Sequence, residues 1–304
     1  SKCSAHPIWC TDEQKQMIAA EMECQVLGWP CRYLGLPLSI RRLKRIQFQH
    51  LEDKVASKLP PWQSRHVATA GRVVLIKAVL TAIAIYHLTL LDIPVEVLKK
   101  IDSLRRAYLW AGTDTVSDGK CKINWDLVCK PKKNGGLGVL NLAKFAKALR
   151  LRWLCLEWKD PTKPWIGMGT PCTDDDRVFF AAATRVTVGN GRTAKFWNSS
   201  WLHGLRPRDI APRIFDLSRK KNCSVQQALH NSLWISNIDI SNGLSLGHVQ
   251  EFANLWGKLN SATLEEGMED SIVWKFTKDD MYSASSAYKA QFEGLTTSYL
   301  VQSA

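Results

Sequence analysis

Four sets of residues in this 304-residue chain are of the types that chemistry requires. Clustered carboxylates on rigid elements hold the paired metal ions of polymerases and nucleases. The carboxylate runs here are Asp174-Asp175-Asp176 and Asp279-Asp280. The first follows Gly167, Gly169 and Pro171, which places it in a loop or at a helix N-terminus. The second sits in an expected turn. Both read as solvated acids rather than a metal cradle. The seven histidines (6, 50, 66, 87, 203, 230 and 248) are scattered, and none forms His-Glu-x-x-His or a similar pair. His87, inside an apolar run, reads as a core residue. The nine cysteines include no Cys-x-x-Cys, and the gaps Cys3 to Cys10 and Cys24 to Cys31 match no usual zinc spacing. Free, partly buried thiols in a reducing compartment are expected, with disulfides the minor alternative. Gly135-Gly136-Leu137-Gly138 lacks the Lys-Ser/Thr of a phosphate loop and reads as a tight turn within a hairpin. No catalytic residue, metal ligand or cofactor site is therefore expected from these sets.

Charge is the stronger signal. Up to Asp160 there are 26 Lys and Arg against 14 Asp and Glu; from Pro161 onward there are 15 against 14. A one-sided positive field concentrates polyanions, of which nucleic acid is the commonest. Phosphate contacts give affinity that is independent of sequence and sensitive to salt. The rival reading is a basic surface kept for solubility. Hydrophobic content of 45% and charged content of 23% are those of a globular protein. Thirteen Trp point to large buried contacts. The apolar stretch Val73 to Leu91 approaches a membrane span in length, but Lys77, Tyr86 and His87 interrupt it. A buried helix and no membrane are expected. The N-terminus carries no Met and no apolar signal region, and reads like a chain cut from something longer.

These residues need elements to position them. Thr11 caps an expected helix running to about Cys24. Arg32 to Leu38 reads as a short strand. Three helices then follow. The first, Lys44 to Leu59, carries Ile46, Leu51, Val55 and Leu59 on one face and stops at Pro60-Pro61. The second, Ala68 to Leu90, is apolar nearly all round and is expected to be the most buried. The third, Val95 to Trp110, buries Val97, Ile101, Leu104, Tyr108 and Leu109 and keeps Lys99, Lys100, Arg105 and Arg106 mostly outside, ending at Gly112. Trp125 to Gly138 reads as strand, turn, strand. Asn141 starts a helix through Leu142, Phe145, Leu149 and Trp153 that carries Lys144, Lys147, Arg150 and Arg152. Pro161 and Pro164 mark the main expected boundary. Beyond it, Thr184–Val188 and Thr193–Trp197 read as a hairpin across Gly189-Asn190-Gly191. Val225 to Asn231 and His248 to Leu259 read as helices. Ile272–Phe276 and Met281–Ser283 read as a second hairpin, and Ser283 or Ser285 starts a last helix. The fold class is mainly α with small β hairpins (α+β), a three-helix bundle followed by a mixed α+β part.

Several strings carry a family resemblance. Cys31 to Leu38 (CRYLGLPL) resembles the segment just after the catalytic palm in reverse transcriptases of plant non-LTR (LINE-type) retrotransposons. Ala70 to Leu80 (AGRVVLIKAVL), Ile101-Asp102 with Arg105 to Gly112, Trp125 to Cys129, Gly135 to Gly138 and Ala148 to Trp153 match further strings of that family in order. Gly189 to Gly191, Phe196-Trp197, Trp201 to Gly204 and Tyr282 to Tyr288 continue the agreement. The family's catalytic Y/F-x-D-D hairpin belongs upstream of residue 1 and does not occur here. Its zinc-binding Cys/His cluster belongs beyond about residue 300. Asp280 stands where the family's hairpin usually turns on Gly.

The resemblance implies a division into the end of the palm (1–40), a thumb-like bundle (41–112), a hairpin and basic helix (113–160) and a mixed linker (161–304). It implies that Tyr33, Leu34 and Gly35 are the primer-grip segment. Arg72, Lys77, Arg105 and Arg106 on the bundle, with Arg150 and Arg152 on the following helix, are the implied phosphate contacts to RNA or an RNA–DNA hybrid. Ion pairs with Glu96 and Asp102 are the alternative for the bundle residues. The expected function is low-specificity binding of primer–template in an intracellular setting, nuclear or cytoplasmic, with no polymerase activity in this chain alone. The rivals are a relic without function and a part that completes a reverse transcriptase in trans.

Overall fold

The computed structural model describes residues 3–59, 67–116, 119, 121–160, 162–166, 169–241 and 243–293. Helices dominate, with three two-stranded sheets among the described residues. The architecture is mainly α with small β elements, as the sequence implies. The chain forms two compact units, Ser1–Ala143 and Lys144–Ala304. Pro161 lies outside the described residues. The division by internal contacts falls before Lys144, so most of the basic helix Leu142–Lys159 belongs to the second unit.

In the first unit, Thr11 caps α1 (Asp12–Glu21) by a reciprocal box. Its hydroxyl accepts from the Gln14 amide, and the Gln14 side chain accepts from the Thr11 amide. Strands β1 (Ser4–Ala5) and β2 (Gln25–Val26) pair in parallel. The single strand expected over Arg32–Leu38 is instead a hairpin of β3 (Cys31–Tyr33) and β4 (Leu36–Leu38), with Tyr33 opposite Leu36. Leu34 and Gly35 turn the chain at φ 49° and 81°. A two-residue hairpin turn that matches strand twist needs positive φ at both positions. Gly35 adopts it freely, whereas Leu34 is strained there.

The helices pack on one another. A 3₁₀ turn, Arg45–Phe48, leads into α2 (Gln49–Ala56), so the expected Lys44–Leu59 helix is shorter. Three residues per turn replace 3.6 at its start, and Ile46 rotates out to 72% exposure while Phe48, Leu51 and Val55 are buried. Helix α3 (Thr69–Leu90) is long and apolar enough to cross a membrane by length and composition. It contains one π turn, Ile76–Leu80. Its inner stripe of Ile76, Leu80, Ala84 and Leu88 is buried, but Val74, Val79 and Tyr86 are exposed, so it is not buried all round. Helix α4 (Val95–Ala111) buries all five expected stripe residues and ends at Gly112 in the left-handed conformation.

Trp125–Gly138 is not strand, turn, strand. Asn124 Oδ1 accepts from the Asp126 amide at 2.8 Å and starts a short helix, α5 (Trp125–Cys129), followed by a 3₁₀ turn, Lys132–Asn134. Gly136 passes so close to this helix that a Cβ would sit 2.1 Å from the Lys130 carbonyl oxygen.

In the second unit, α6 (Leu142–Lys159) is followed by α7 (Asp174–Ala183), which Thr173 caps. Asp176 in its first turn is buried, not solvated. Strand β5 (Thr184–Thr187) pairs antiparallel with β6 (Ser271–Trp274) rather than with Thr193–Trp197. Asp270 supplies the reason. Its Oδ1 accepts from the Gly189 and Gly191 amides at 2.9 and 2.8 Å, and its Oδ2 from the Thr193 and Ala194 amides at 2.9 and 2.8 Å. The loop therefore wraps a carboxylate instead of turning back as a hairpin. The second expected hairpin reduces to one bond, from the Trp274 amide to the Asp280 carbonyl at 3.0 Å, with Asp280 at φ 58°. Asp280 thus takes the left-handed conformation at the turn. The helices expected at 225 and 248 form over Val225–Leu229 and Leu246–Leu259, and Ser283 caps Ala284–Ala290. Phe196, Trp197, Trp234, Leu255 and Leu259 form one core, so these two tryptophans pack as the composition implied, whereas Trp9 is exposed at 92%.

Asp270→Ala removes one acceptor from four backbone donors and lowers the unfolding free energy by about 3 kcal/mol, whereas Asp279→Ala on the surface leaves it nearly unchanged; denaturant titration of the two variants checks this. Burial pushes the His87 imidazole below its ordinary value, with repulsion from Lys54 and His50 and, least, Arg32 adding to it. The unfolded chain then binds that proton more readily than the folded one. The stability His87 contributes is complete above about pH 6.5 and falls as pH drops through the window below it. His87→Leu flattens this part of the pH–stability curve.

Candidate nucleic-acid interface

The implied primer-grip residues sit at the tip of the β3–β4 hairpin. Tyr33 and Leu34 are exposed, at 64% and 73%. The Tyr86 hydroxyl donates to the Leu34 carbonyl at 3.1 Å, which ties the tip to the outer face of α3. The tip is thus anchored while its two large side chains face solvent.

The basic residues of the bundle divide by what they touch. Arg72 donates from Nε to the Val67 carbonyl at 3.0 Å and from Nη1 to the Leu109 carbonyl at 3.3 Å. It joins the start of α3 to the end of α4. Arg105 is the largest departure from expectation. Its guanidinium is fully buried, where the sequence pattern placed it outside the stripe. Nη1 pairs with Asp102 Oδ1 at 2.5 Å. Nη2 donates to Thr81 Oγ1 at 3.1 Å and to the Leu140 carbonyl at 2.8 Å. The Trp125 ring covers it at 5.5 Å. A long side chain on the edge of an apolar stripe can turn inward when a carboxylate three residues before it and two further acceptors complete its fork. Arg105 consequently has no surface to offer a phosphate, and the ion pair with Asp102 is the role the structure gives it. Burial raises the Asp102 carboxyl from its ordinary value against the opposing pull of Arg105.

Arg106, one residue on, is partly exposed. With Lys99, Asp102, Ser103, Asn124 and Trp125 it lines an open groove of about 560 Å³. Lys77 points its ammonium at the Leu137 carbonyl, 2.5 Å away. Burial lowers its pKa from the ordinary lysine value, and Lys132 adds repulsion. Lys99, Lys100, Lys132 and Lys133 are exposed and have no carboxylate within ion-pair distance among the described residues. In the sequence Lys132 falls in the turn expected between the two strands of 125–138. The signal that could have marked it is the run Lys130-Pro131-Lys132-Lys133, four residues with three cations and no acid.

In the second unit, Arg150 donates from Nε and Nη2 to the two carboxylate oxygens of Asp176 at 2.7 and 3.2 Å. This bidentate pair fixes the start of α7 to α6 and explains why Asp176 is buried. Arg152, on another face of α6, is exposed. Tyr282 donates to the Ala148 carbonyl. All nine cysteines are free thiols. Burial pushes Cys129 up to about 12 and raises Cys155, Cys172 and Cys223, which keeps these thiols protonated at neutral pH. Among the described residues no three His, Cys, Asp or Glu side chains group so as to hold a metal ion.

No family model matches the chain, and no solved structure matches it. The chain is similar to an Arabidopsis thaliana protein named Putative ribonuclease H protein At1g65750. The two are 24% identical over 283 residues, which cover 84% of this chain and 44% of that protein. The chain thus spans less than half the length of this curated relative.

Breaking the buried pair separates structural from surface arginines. Arg105→Ala leaves the Asp102 carboxylate buried without its cation and destabilises the protein by about 3–5 kcal/mol. Arg152→Ala stays within about 0.5 kcal/mol of the parent. Thermal and denaturant unfolding of both variants provide the check.

Proposed function

We propose that this chain is the thumb and post-thumb part of a non-LTR retrotransposon reverse transcriptase and that it binds RNA or an RNA–DNA hybrid with low sequence specificity. The observation that carries the reading is the set of exposed, acid-free cations on the first unit. That unit holds 21 Lys and Arg against 12 Asp and Glu. Lys99 and Lys100 on α4 and Lys132 and Lys133 on the following turn stand out from it. Cations of this kind contact phosphates by charge and shape, which suits the A-like form of RNA-containing duplexes. The plant relative supports the reading, since its name is that of a protein acting on RNA. The ordered motif strings from Cys31 to Tyr288 support the finer assignment to a reverse transcriptase. In this reading the exposed hairpin tip at Tyr33-Leu34-Gly35 holds the primer end, and the partly or fully exposed Arg106, Lys77 and Arg152 contact phosphates. Arg72, Arg105 and Arg150 serve the reading indirectly, by holding helices in place. Asp102, Asp176 and Asp270 are held in ion pairs, a helix cap and a loop clasp, and polymerisation is not assigned to this chain.

Purified chain titrated with an RNA–DNA hybrid is expected to bind with an affinity that falls roughly ten- to a hundredfold between about 50 and 200 mM salt, with little preference among sequences, and to incorporate no nucleotide. Absence of binding at low salt by a folded sample, or detectable incorporation, contradicts the proposal.

A further inference from the structure

The segment Lys130–Leu140 is tied to the bundle at two points by cations that use different chemistry. Arg105 reaches Leu140 from a fully buried position. Lys77 reaches Leu137 from the flank of α3 and keeps part of its ammonium open to solvent. Lys77 lies in the single π turn of α3, Ile76–Leu80. That turn shifts the helix register by one residue, and such insertions recur at functional positions. Here it directs Lys77 toward the turn that carries Lys132.

Three features meet at this point. First, the positive charge of Lys132 acts on Lys77, and the groups that act on Lys77 include no carboxylate. Like charges held together without an acid raise the free energy until an anion joins them. Second, Gly138 lies between them at φ 66°, and a Cβ there would stand 3.5 Å from Lys77 Nζ and 3.4 Å from Lys132 Cγ. The missing side chain leaves a notch between the Lys77 ammonium and the stem of Lys132. Third, the notch is rigid. The Gly138 amide donates to the Lys130 carbonyl at 3.0 Å, the Leu137 amide to the Val128 carbonyl at 3.1 Å and the Gly136 amide to the Pro131 carbonyl at 3.2 Å. Lys77 spends one N–H on Leu137, which leaves two for a ligand.

The geometry points to the notch between Lys77 and Lys132 at Gly138 as a site for a single phosphate group, filled in function by one backbone phosphate of the bound RNA strand. This inference rests on the nucleic-acid reading above and adds a residue, Lys132, and a location to it. A phosphate oxyanion suits it because one oxygen can accept from the Lys77 ammonium at the notch while the exposed Lys132 side chain, rooted beside it, swings its ammonium onto another.

The test uses the full chain and two probes, an RNA–DNA hybrid and pyrophosphate. Lys132→Gln is expected to weaken hybrid binding about three- to tenfold at low salt and to reduce the salt slope by about one phosphate. Lys132→Arg restores both, and Lys289→Gln, distant in sequence and exposed, changes neither. Pyrophosphate is expected to raise the melting temperature of the parent and not that of Lys132→Gln. Hybrid binding with a slope unmoved by Lys132→Gln, and no response to pyrophosphate, overturns the notch and leaves the nucleic-acid reading standing. Pyrophosphate stabilisation that needs Lys132, without hybrid binding, upholds the notch as a site for a free phosphate compound and overturns the nucleic-acid reading and the assignment to a strand. Failure with both probes overturns both.

Discussion

The buried guanidinium of Arg105 is the constraint on which the first unit depends. A charge without water is costly unless every donor finds a partner. Arg105 meets most of that demand by drawing in three parts of the chain, and only its Nε is left without a hydrogen-bond partner among the described residues. Asp102 comes from its own helix, Thr81 from α3, and the Leu140 carbonyl from the segment after the short helix α5. Trp125 closes over it. Thr81 is available in turn because the π turn lets its hydroxyl donate to the Ile76 carbonyl at 2.7 Å, which leaves its oxygen free to accept. An apolar side chain in place of Arg105 could fill the volume but could not tie Leu140 to two helices.

That clamp decides which cations face water. With Arg105 turned inward, Arg106 is left on the groove beside Lys99, and the turn bearing Lys132 is held where Lys77 can reach it. The surface that results has charge in fixed places and few donors arranged for reading base edges. Such a surface suits phosphate contact and duplex shape, with sequence recognition supplied elsewhere if at all. The second unit follows a similar economy on its own scale. Arg150 pairs with Asp176, and Asp270 accepts from four backbone amides, so these charged groups hold a helix start and a loop.

Local signals were legible in the sequence wherever one element satisfied itself. The Thr11 and Ser283 caps, the stripe of α4 and its end at Gly112 follow from spacing alone. The readings that failed are those in which a distant group outbid a local one. Gly189-Asn190-Gly191 is a strong hairpin signal, but Asp270, far along the chain, takes the amides that a hairpin turn would place differently. Trp125–Cys129, ahead of a turn rich in Lys, Pro, Asn and Gly, reads as a strand, yet Asn124 caps it into a helix. Arg105 looks like a surface residue from its position on the helix, and only Thr81, Leu140 and Trp125 together make the interior a place for it. Ile46 turned outward because the helix starts as 3₁₀, a difference of fractions of a residue per turn that spacing cannot show. The net charge and Lys77 were open to view in the sequence, while Lys132, which the proposed phosphate notch needs, lay in an expected turn.

Hydrogen–deuterium exchange on the full chain, with and without an RNA–DNA hybrid at low salt, tests the central claim most directly. The account predicts added protection in the first unit, in the turn around Lys132 to Gly138 and along the outer turns of α4 near Lys99, with the Arg105 clamp already slow to exchange before hybrid is added. Protection absent from these segments, or confined to the second unit, contradicts it.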